Sequence, residues 1–125
     1  MSRCEEDKLV AIVDDDDAVR AALHGLLKAV GFSSQCFESA EAFLNSGHHR
    51  ATRCLIADIR MPGMSGLELQ ARLNAEKCSI PTIFITAHGD EEMRFKALRA
   101  GAVEFLPKPF DDEVLIESVR AALHC

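Results

Sequence analysis

Apolar runs and amphipathic segments alternate along the chain. The run Leu9–Val13 is continuously apolar and rich in branched residues, which is typical of a strand covered on both faces. After it, apolar residues recur at the spacing of one helix face, and Gly31 stands where a glycine ends a helix. The alternation repeats, and it predicts four more strands, at Ser33–Phe37, 54–57, 82–85 and 103–106.

The segments between and after these strands carry the signals of helices. Ser39 and Ser65 are the predicted N-caps of the second and third helices. The fourth predicted helix, 90–100, has the least regular apolar stripe, and the fifth begins at Asp111 or Asp112. Each predicted strand is therefore followed by a helix.

Five strand–helix units with short connections predict an α/β fold in which one parallel sheet lies between helices. Five strands are too few for a closed eight-stranded barrel. We therefore expect an open, doubly wound, five-stranded parallel sheet of order 2-1-3-4-5 with five helices, and a single domain over residues 1–125. In this order strands 1 and 3 are neighbours, and a ligand is expected beyond their carboxyl ends.

Composition and charge narrow the classes of function. The 125 residues are 48% hydrophobic and 27% charged, as in ordinary globular domains. A net charge of −6 argues against direct nucleic-acid binding. The five cysteines are odd in number and form no C-x-x-C pair, which is typical of reduced cytoplasmic proteins. The polar N-terminus resembles no signal peptide and no uncharged stretch is long enough to cross a bilayer, so we expect a cytoplasmic protein without membrane association.

Acidic residues follow strands 1 and 3. Asp14 and Asp15 come directly after strand 1, and Asp58 ends strand 3. Neighbouring strands lie about 4.8 Å apart, and carboxylates this close raise one another's pKa unless a cation joins them. Oxygen ligands of this kind suit Mg²⁺, so a magnesium site is predicted here. Asp16 and Asp17 are instead expected to solvate the loop and to complement the positive end of the first helix.

Two other strand ends carry polar groups. Thr86 ends strand 4 and offers a hydroxyl that can donate to an anionic oxygen. Lys108 ends strand 5 between Pro107 and Pro109, which restrict the backbone and allow a cis Lys–Pro bond. Taken alone, Thr86 fits an ordinary strand-end or capping threonine, and Lys108 fits an ordinary solvated lysine. Together with the acids they form a set suited to phosphoryl transfer, which depends on positioning and charge neutralisation.

Four segments of the sequence, all at strand ends, resemble the receiver domain of two-component response regulators. They are VDDDDAVR at 13–20, DIRMPGMSG at 58–66, ITAHGD at 85–90 and AGAVEFLPKPF at 100–110. The resemblance covers essentially the whole chain and implies the flavodoxin-like, CheY-like form of the doubly wound fold. The segments MPGMSG and HGD are most similar to those of FixJ-type receivers, whose usual output domain is a LuxR-type helix-turn-helix.

The resemblance implies that Asp58 is the phosphoacceptor and takes its phosphoryl group from a phosphohistidine of a sensor histidine kinase. It implies that Asp15, helped by Asp14, holds Mg²⁺ together with an Asp58 oxygen and the backbone carbonyl of Arg60. The acid cluster would then serve as the metal site of the reaction.

The resemblance also implies which residues respond to the phosphoryl group. Thr86 would hydrogen-bond to it, Lys108 would pair with its oxygens, and Phe105 would change rotamer with Thr86. Phe105 stands where tyrosine is frequent, so any such switch lacks a hydroxyl and works through packing. Arg60 and His88 occupy positions that vary in the family, and each is equally well an exposed loop residue.

The implied function is that of a phosphorylation switch which assists its own phosphorylation and dephosphorylation and is not an enzyme. The face made by helix 4, strand 5 and helix 5 would control dimerisation or a C-terminal DNA-binding output domain absent from this chain. The irregular stripe of helix 4 fits a loosely held element. The alternative is a stand-alone receiver that acts through protein–protein interaction or as a phosphorelay intermediate.

Rival functions fit the residues less well. An aspartate-nucleophile phosphatase would usually carry a second acid where Arg60 stands, and the chain leaves no room for a cap domain. A nucleotide-binding module would need a glycine-rich loop after strand 1, where only acids stand. The five histidines show no metal-ligand spacing. A pure interaction module that has lost the chemistry is disfavoured because every chemical position is filled.

Overall fold

The strands form one parallel sheet in the order β2-β1-β3-β4-β5, which confirms the predicted topology. The computed structural model describes residues 9–87 and 91–123. The strands are β1 at Leu9–Val13, β2 at Ser33–Phe37, β3 at Thr52–Asp58, β4 at Thr82–Thr86 and β5 at Glu104–Pro107.

Within the described ranges, five α-helices connect or follow the strands. They are α1 at Asp17–Ala29, α2 at Ala40–Ser46, α3 at Gly66–Ala75, α4 at Glu91–Arg99 and α5 at Asp112–Leu123, with a short 3-10 turn at His48–Arg50. Ser39 and Ser65 cap α2 and α3 as predicted, since each hydroxyl accepts a hydrogen bond from a backbone amide of the first turn.

The boundaries of β3, β4 and β5 differ from the sequence prediction, since each strand ends one residue later than predicted, and β3 and β5 also begin at different residues. β3 begins at Thr52, two residues before the predicted start, and Thr52 pairs with Leu9 across an irregularity in the register. Polar residues at 52 and 53 hide this extension from a search for apolar runs. β5 begins at Glu104, although the amide of Val103 already donates to the carbonyl of Thr82 at 2.8 Å.

The apolar strands are covered on both faces, as their sequence predicts. One layer places alternate strand residues such as Ile12 and Ile56 against α1 and α5. The other places Val13 and Phe84 against α2, α3 and α4. Among its described residues α4 buries Ala97 alone, which agrees with its irregular apolar stripe.

Two further observations bear on the sequence predictions. Cys36, Cys54 and Cys78 are free thiols. Over residues 9–87 and 91–123, none of the helices combines the length and apolar character needed to cross a bilayer.

Candidate functional site

The carboxyl ends of β1 and β3 bring three aspartates together. One oxygen from each of Asp14, Asp15 and Asp58 lies within 4.8 Å of the other two. Asp14 is fully buried and Asp58 is 6% exposed, whereas Asp15 faces solvent. Val13 pairs with Ala57 in the parallel register, so the residues that follow them emerge at the same edge of the sheet. The strand order therefore produces the cluster that the sequence predicted.

Lys108 joins this cluster from the end of β5. Its Nζ lies 2.8 Å from Oδ2 of Asp58 and 3.0 Å from Oδ2 of Asp14. The Lys108 amide donates to the carbonyl of Thr86 at 2.9 Å, and the Lys108–Pro109 peptide bond is cis. The ammonium group thus bridges the two buried carboxylates, and its single positive charge offsets part of their combined negative charge.

The electrostatics of the cluster follow from burial and from Lys108. Burial raises the pKa of Asp14 above its usual value, while hydrogen bonds from the Asp16 amide and Lys108 oppose the rise. The charge of Asp58 adds a smaller increase to the Asp14 pKa, so burial contributes more than the repulsion expected from the sequence. Burial alone would lower the pKa of Lys108, but the hydrogen bonds and charges of Asp58 and Asp14 outweigh it, and the pKa is raised. Lys108 is therefore a cation at neutral pH.

The β1–α1 connection holds Asp14 through several contacts. Asp16 caps α1 and donates its own amide to Oδ1 of Asp14 at 2.9 Å, so its predicted place at the helix end is confirmed. Arg20 donates from Nη1 to the backbone carbonyl of Asp14 at 2.6 Å and forms an ion pair with Asp17. The sequence analysis did not single out Arg20. Its one-turn spacing from Asp17 is the signal that could have found it.

The β3–α3 loop, residues 59–65, holds Asp58 from the other side. The amide of Arg60 donates to Oδ1 of Asp58 at 3.0 Å, and the amide of Gly66 donates to the carbonyl of Ile59 at 2.8 Å. A Cβ at Gly66 would lie 2.4 Å from the carbonyl oxygen of Asp58, so this close approach requires glycine. Arg60 is exposed at the surface, and His88 lies outside the described residues.

Thr86 and Phe105 lie on the β4 and β5 side of the site. Asp58 pairs with Ile85 in the register of β3 and β4, so Thr86 stands one residue beyond the level of Asp58, and it is 2% exposed. Phe105 is half-buried and packs against the apolar layer beneath α2, α3 and α4. Thr86 thus ends the strand next to β3, whereas Phe105 lies on β5, one strand further from the aspartates.

The comparisons with known proteins agree with this site. The model of the response regulator receiver domain family matches residues 10–120. The chain belongs to this family. The response regulator protein TodT of Pseudomonas putida is 50% identical over 115 residues, which are 92% of this chain and 51% of TodT. The transcriptional regulatory protein FixJ of Rhizobium meliloti is 46% identical over 116 residues, 93% of this chain and 57% of FixJ.

A solved structure shows the same likeness. The crystal structure of FixJ-N matches this receiver with a TM-score of 0.84 and 45% identity over 94% of each chain. The FixJ-type resemblance inferred from the motifs is thereby confirmed. The receiver spans about half the length of the curated relatives TodT and FixJ.

Membership of this family supports a general role as a phosphoacceptor in two-component signalling. The cluster at the ends of β1, β3 and β5 provides what that role requires. It contains a carboxylate held beside a cation, with further carboxylates whose oxygens are suited to a hard divalent ion.

Proposed function

We propose that this receiver accepts a phosphoryl group on Asp58 from a phosphohistidine of a sensor histidine kinase. The observation that supports this most directly is the position of the Asp58 carboxylate, 2.8 Å from the Lys108 ammonium and beside Asp14 and Asp15. A carboxylate oxygen of Asp58 forms a bond to phosphorus while the phosphorus–nitrogen bond of the kinase breaks. The bonding electron pair returns to the imidazole nitrogen, and the product is an acyl phosphate.

The donor set fits Mg²⁺. Its three carboxylate ligands would be Asp14, Asp15 and Asp58, whose oxygens lie close enough together to bind one ion. The backbone carbonyl of Arg60 is the proposed fourth ligand from the protein. When bound, the ion would supply neutralisation of the negative charge on the transferring group.

The remaining site residues bind the phosphoryl group and change conformation in response to it. Lys108 already contacts Asp58, and its ammonium pairs with the new phosphoryl oxygens, which are stronger acceptors than the carboxylate. The Thr86 hydroxyl donates to the same group, and Phe105 repacks as Thr86 shifts. Because Thr86 and Lys108 end β4 and β5, this movement is transmitted to α4 and to β5.

The wider biological role also belongs to this proposal. Residues 1–125 act as one receiver domain that functions in the cytoplasm as a regulatory switch and not as an enzyme. The name of FixJ describes a transcriptional regulator, so the full-length protein is proposed to carry a C-terminal DNA-binding output domain. The net charge of −6 supports the view that the receiver does not itself contact DNA. A stand-alone or phosphorelay receiver is the alternative.

The proposal is tested by measuring the mass of the intact protein after incubation with acetyl phosphate, in Mg²⁺ and in EDTA. We expect a gain of one phosphoryl group that requires Mg²⁺ and is removed by hydroxylamine, which cleaves acyl phosphates. If the mass does not change in either condition, the phosphoacceptor role is wrong and a pure interaction module is favoured.

We further propose that phosphorylation promotes dimerisation through the face made by α4, β5 and α5. Phe95 and Val114 on this face are 61% and 43% exposed. The exposed charges of the two helices differ in net sign. Those of α4 give a net +1, from Arg94, Lys96 and Arg99 against Glu91 and Glu92, and those of α5 give a net −2, from Asp112, Glu113 and Glu117 against Arg120. A two-fold axis would place α4 of one copy against α5 of the other, so unlike charges would meet.

For this dimer we expect Phe95→Asp to remain monomeric when phosphorylated, because a carboxylate would replace the largest exposed apolar side chain of the face. Sedimentation equilibrium with and without acetyl phosphate measures the change. Val30→Asp is the matched control, since Val30 is also exposed but follows α1. Equal dimerisation of Phe95→Asp and wild type would contradict the proposed face.

A further inference from the structure

The β3–α3 loop is held by a carboxylate from a different element. Glu41 lies in the first turn of α2, and its Oε2 accepts a hydrogen bond from the amide of Met64 at 2.9 Å. The two residues are 23 positions apart in the sequence. This contact therefore connects α2 to the loop that carries Arg60, whose carbonyl is a proposed ligand of Mg²⁺.

The neighbouring Gly63 lies against the same Glu41 carboxylate oxygen. Gly63 has a φ of +78°, a conformation that favours glycine. A Cβ at Gly63 would lie 2.6 Å from Oε2 of Glu41. The backbone at position 63 therefore favours glycine, and a methyl group there would displace the end of the Glu41 side chain.

Other hydrogen bonds hold the two ends of the loop, and the buried Met61 side chain packs into the core from its middle, so that Glu41 adds a polar contact to a loop that is already partly anchored. The Arg60 amide binds the Asp58 carboxylate, and the Gly66 amide binds the carbonyl of Ile59. Ser65 and Glu68 form a reciprocal capping box at the start of α3. These hydrogen bonds all lie within residues 58–68, whereas the hydrogen bond to Met64 comes from outside that segment.

We propose that Glu41 is a positioning residue for the phosphoacceptor site, because its carboxylate holds the loop in the shape that presents the Arg60 carbonyl and the Asp58 carboxylate to Mg²⁺. This inference rests on the function proposed above. Glu41 acts through the loop and is not a ligand, since the cluster of candidate ligand oxygens comprises Asp14, Asp15 and Asp58. Residues that orient metal ligands typically change metal affinity by about tenfold or more when replaced.

The test compares Glu41→Ala with Glu41→Gln and with the control Glu38→Ala. Glu38 is also exposed and lies three residues earlier, so its replacement removes the same charge near the site. Isothermal titration calorimetry gives the Kd for Mg²⁺, and the rate of phosphorylation by acetyl phosphate is measured against Mg²⁺ concentration. For Glu41→Ala we expect Mg²⁺ binding weakened by about tenfold and an unchanged maximal rate at saturating Mg²⁺.

The conservative variant separates positioning from charge. The side-chain carbonyl of glutamine can still accept from the Met64 amide, so Glu41→Gln should bind Mg²⁺ within about twofold of wild type, as should Glu38→Ala. Gly63→Ala should weaken binding in the same direction, because its methyl group displaces the Glu41 carboxylate. Its control is Gly31→Ala. Gly31 has a similar φ of +89°, so the backbone strain is comparable, but the added Cβ would meet no atom within 4 Å.

Two results would overturn the proposed role of Glu41 without affecting the proposed function of the receiver. They are wild-type Mg²⁺ affinity in Glu41→Ala, and equal weakening in Glu41→Gln and Glu41→Ala, which would point to charge and not to the hydrogen bond. A wild-type protein that neither binds Mg²⁺ nor gains a phosphoryl group would instead overturn the proposed function, and the role of Glu41 with it.

Discussion

The Asp58→Asn variant is expected to take up no phosphoryl group from acetyl phosphate or from a histidine kinase. An amide oxygen is a poor nucleophile, and the acyl phosphate requires a carboxylate. The fold should persist, because the asparagine oxygen can still accept from the Arg60 amide and Lys108 keeps its contact with Asp14. Intact-protein mass in the presence of Mg²⁺ measures the loss.

The control for this variant is Asp16→Asn, which removes the same charge from the same end of the sheet. Asparagine caps a helix as well as aspartate does, so α1 should be undisturbed and phosphorylation should match that of wild type. A hydroxylamine-sensitive mass gain in Asp58→Asn would place the acceptor on another carboxylate of the cluster.

The Lys108→Met variant is expected to lose about 3 kcal/mol of unfolding free energy at neutral pH, as when one partner of a buried ion pair is removed. The Asp14 and Asp58 side chains are 1% and 9% exposed, and Lys108 is the cation that contacts both. Methionine keeps the apolar stem but leaves two buried carboxylates without that charge. Urea unfolding followed by far-UV circular dichroism measures the change, since the chain has no tryptophan or tyrosine.

The matched control for this second prediction is Lys96→Met. Lys96 also forms an ion pair, with Glu92 at 3.2 Å, but its side chain is 64% exposed. Exposed pairs contribute little, so we expect a change within about 0.5 kcal/mol. Equal stability of Lys108→Met and Lys96→Met would show that the buried pair of carboxylates does not depend on Lys108.

The pH dependence of Lys108→Met follows from Asp14. Its pKa is already raised by burial, and removal of Lys108 raises it further. A carboxyl with a raised folded-state pKa binds its proton more tightly in the native state than in the unfolded state. Ionised Asp14 therefore lowers the free energy of unfolding. This loss grows as the pH rises from 3.8 through the raised pKa, and it disappears as the pH falls. The stability gap between wild type and Lys108→Met should accordingly narrow towards about pH 4.

The sequence alone was sufficient for the fold class and for the clustering of the three aspartates. Continuous apolar strands such as Leu9–Val13 occur where both faces of a sheet are covered, and amphipathic segments between them indicate crossover helices. That alternation restricts the topology to a few forms, and in the predicted order 2-1-3-4-5 strands 1 and 3 adjoin. Aspartates at the ends of those two strands must then meet, so Asp14, Asp15 and Asp58 were predictable as a cluster.

Some features of the site depended on contacts that no local pattern records. Lys108 was predicted at the cleft, but its bridging of Asp14 and Asp58 depends on side-chain geometry across separate strands. Glu41 is a charged helix residue, and such residues usually face solvent, so nothing local marks its hydrogen bond to Met64. The spacing of Arg20 from Asp17 marks their ion pair but not the hydrogen bond from Arg20 to the Asp14 carbonyl. The pairing of Thr52 with Leu9 likewise depends on the register and not on hydropathy.

The sequence by itself thus determined the parallel α/β architecture and which strand ends carry acids, a hydroxyl and a cation, because hydrophobic periodicity is a local signal. The strand order was predicted from general rules of topology, and the structure confirmed it. The tertiary structure alone decided which carboxylates are buried, that burial raises the Asp14 pKa more than repulsion does, and that α2 reaches the β3–α3 loop through Glu41. These properties arise from distances between residues far apart in the chain, and only folding fixes those distances.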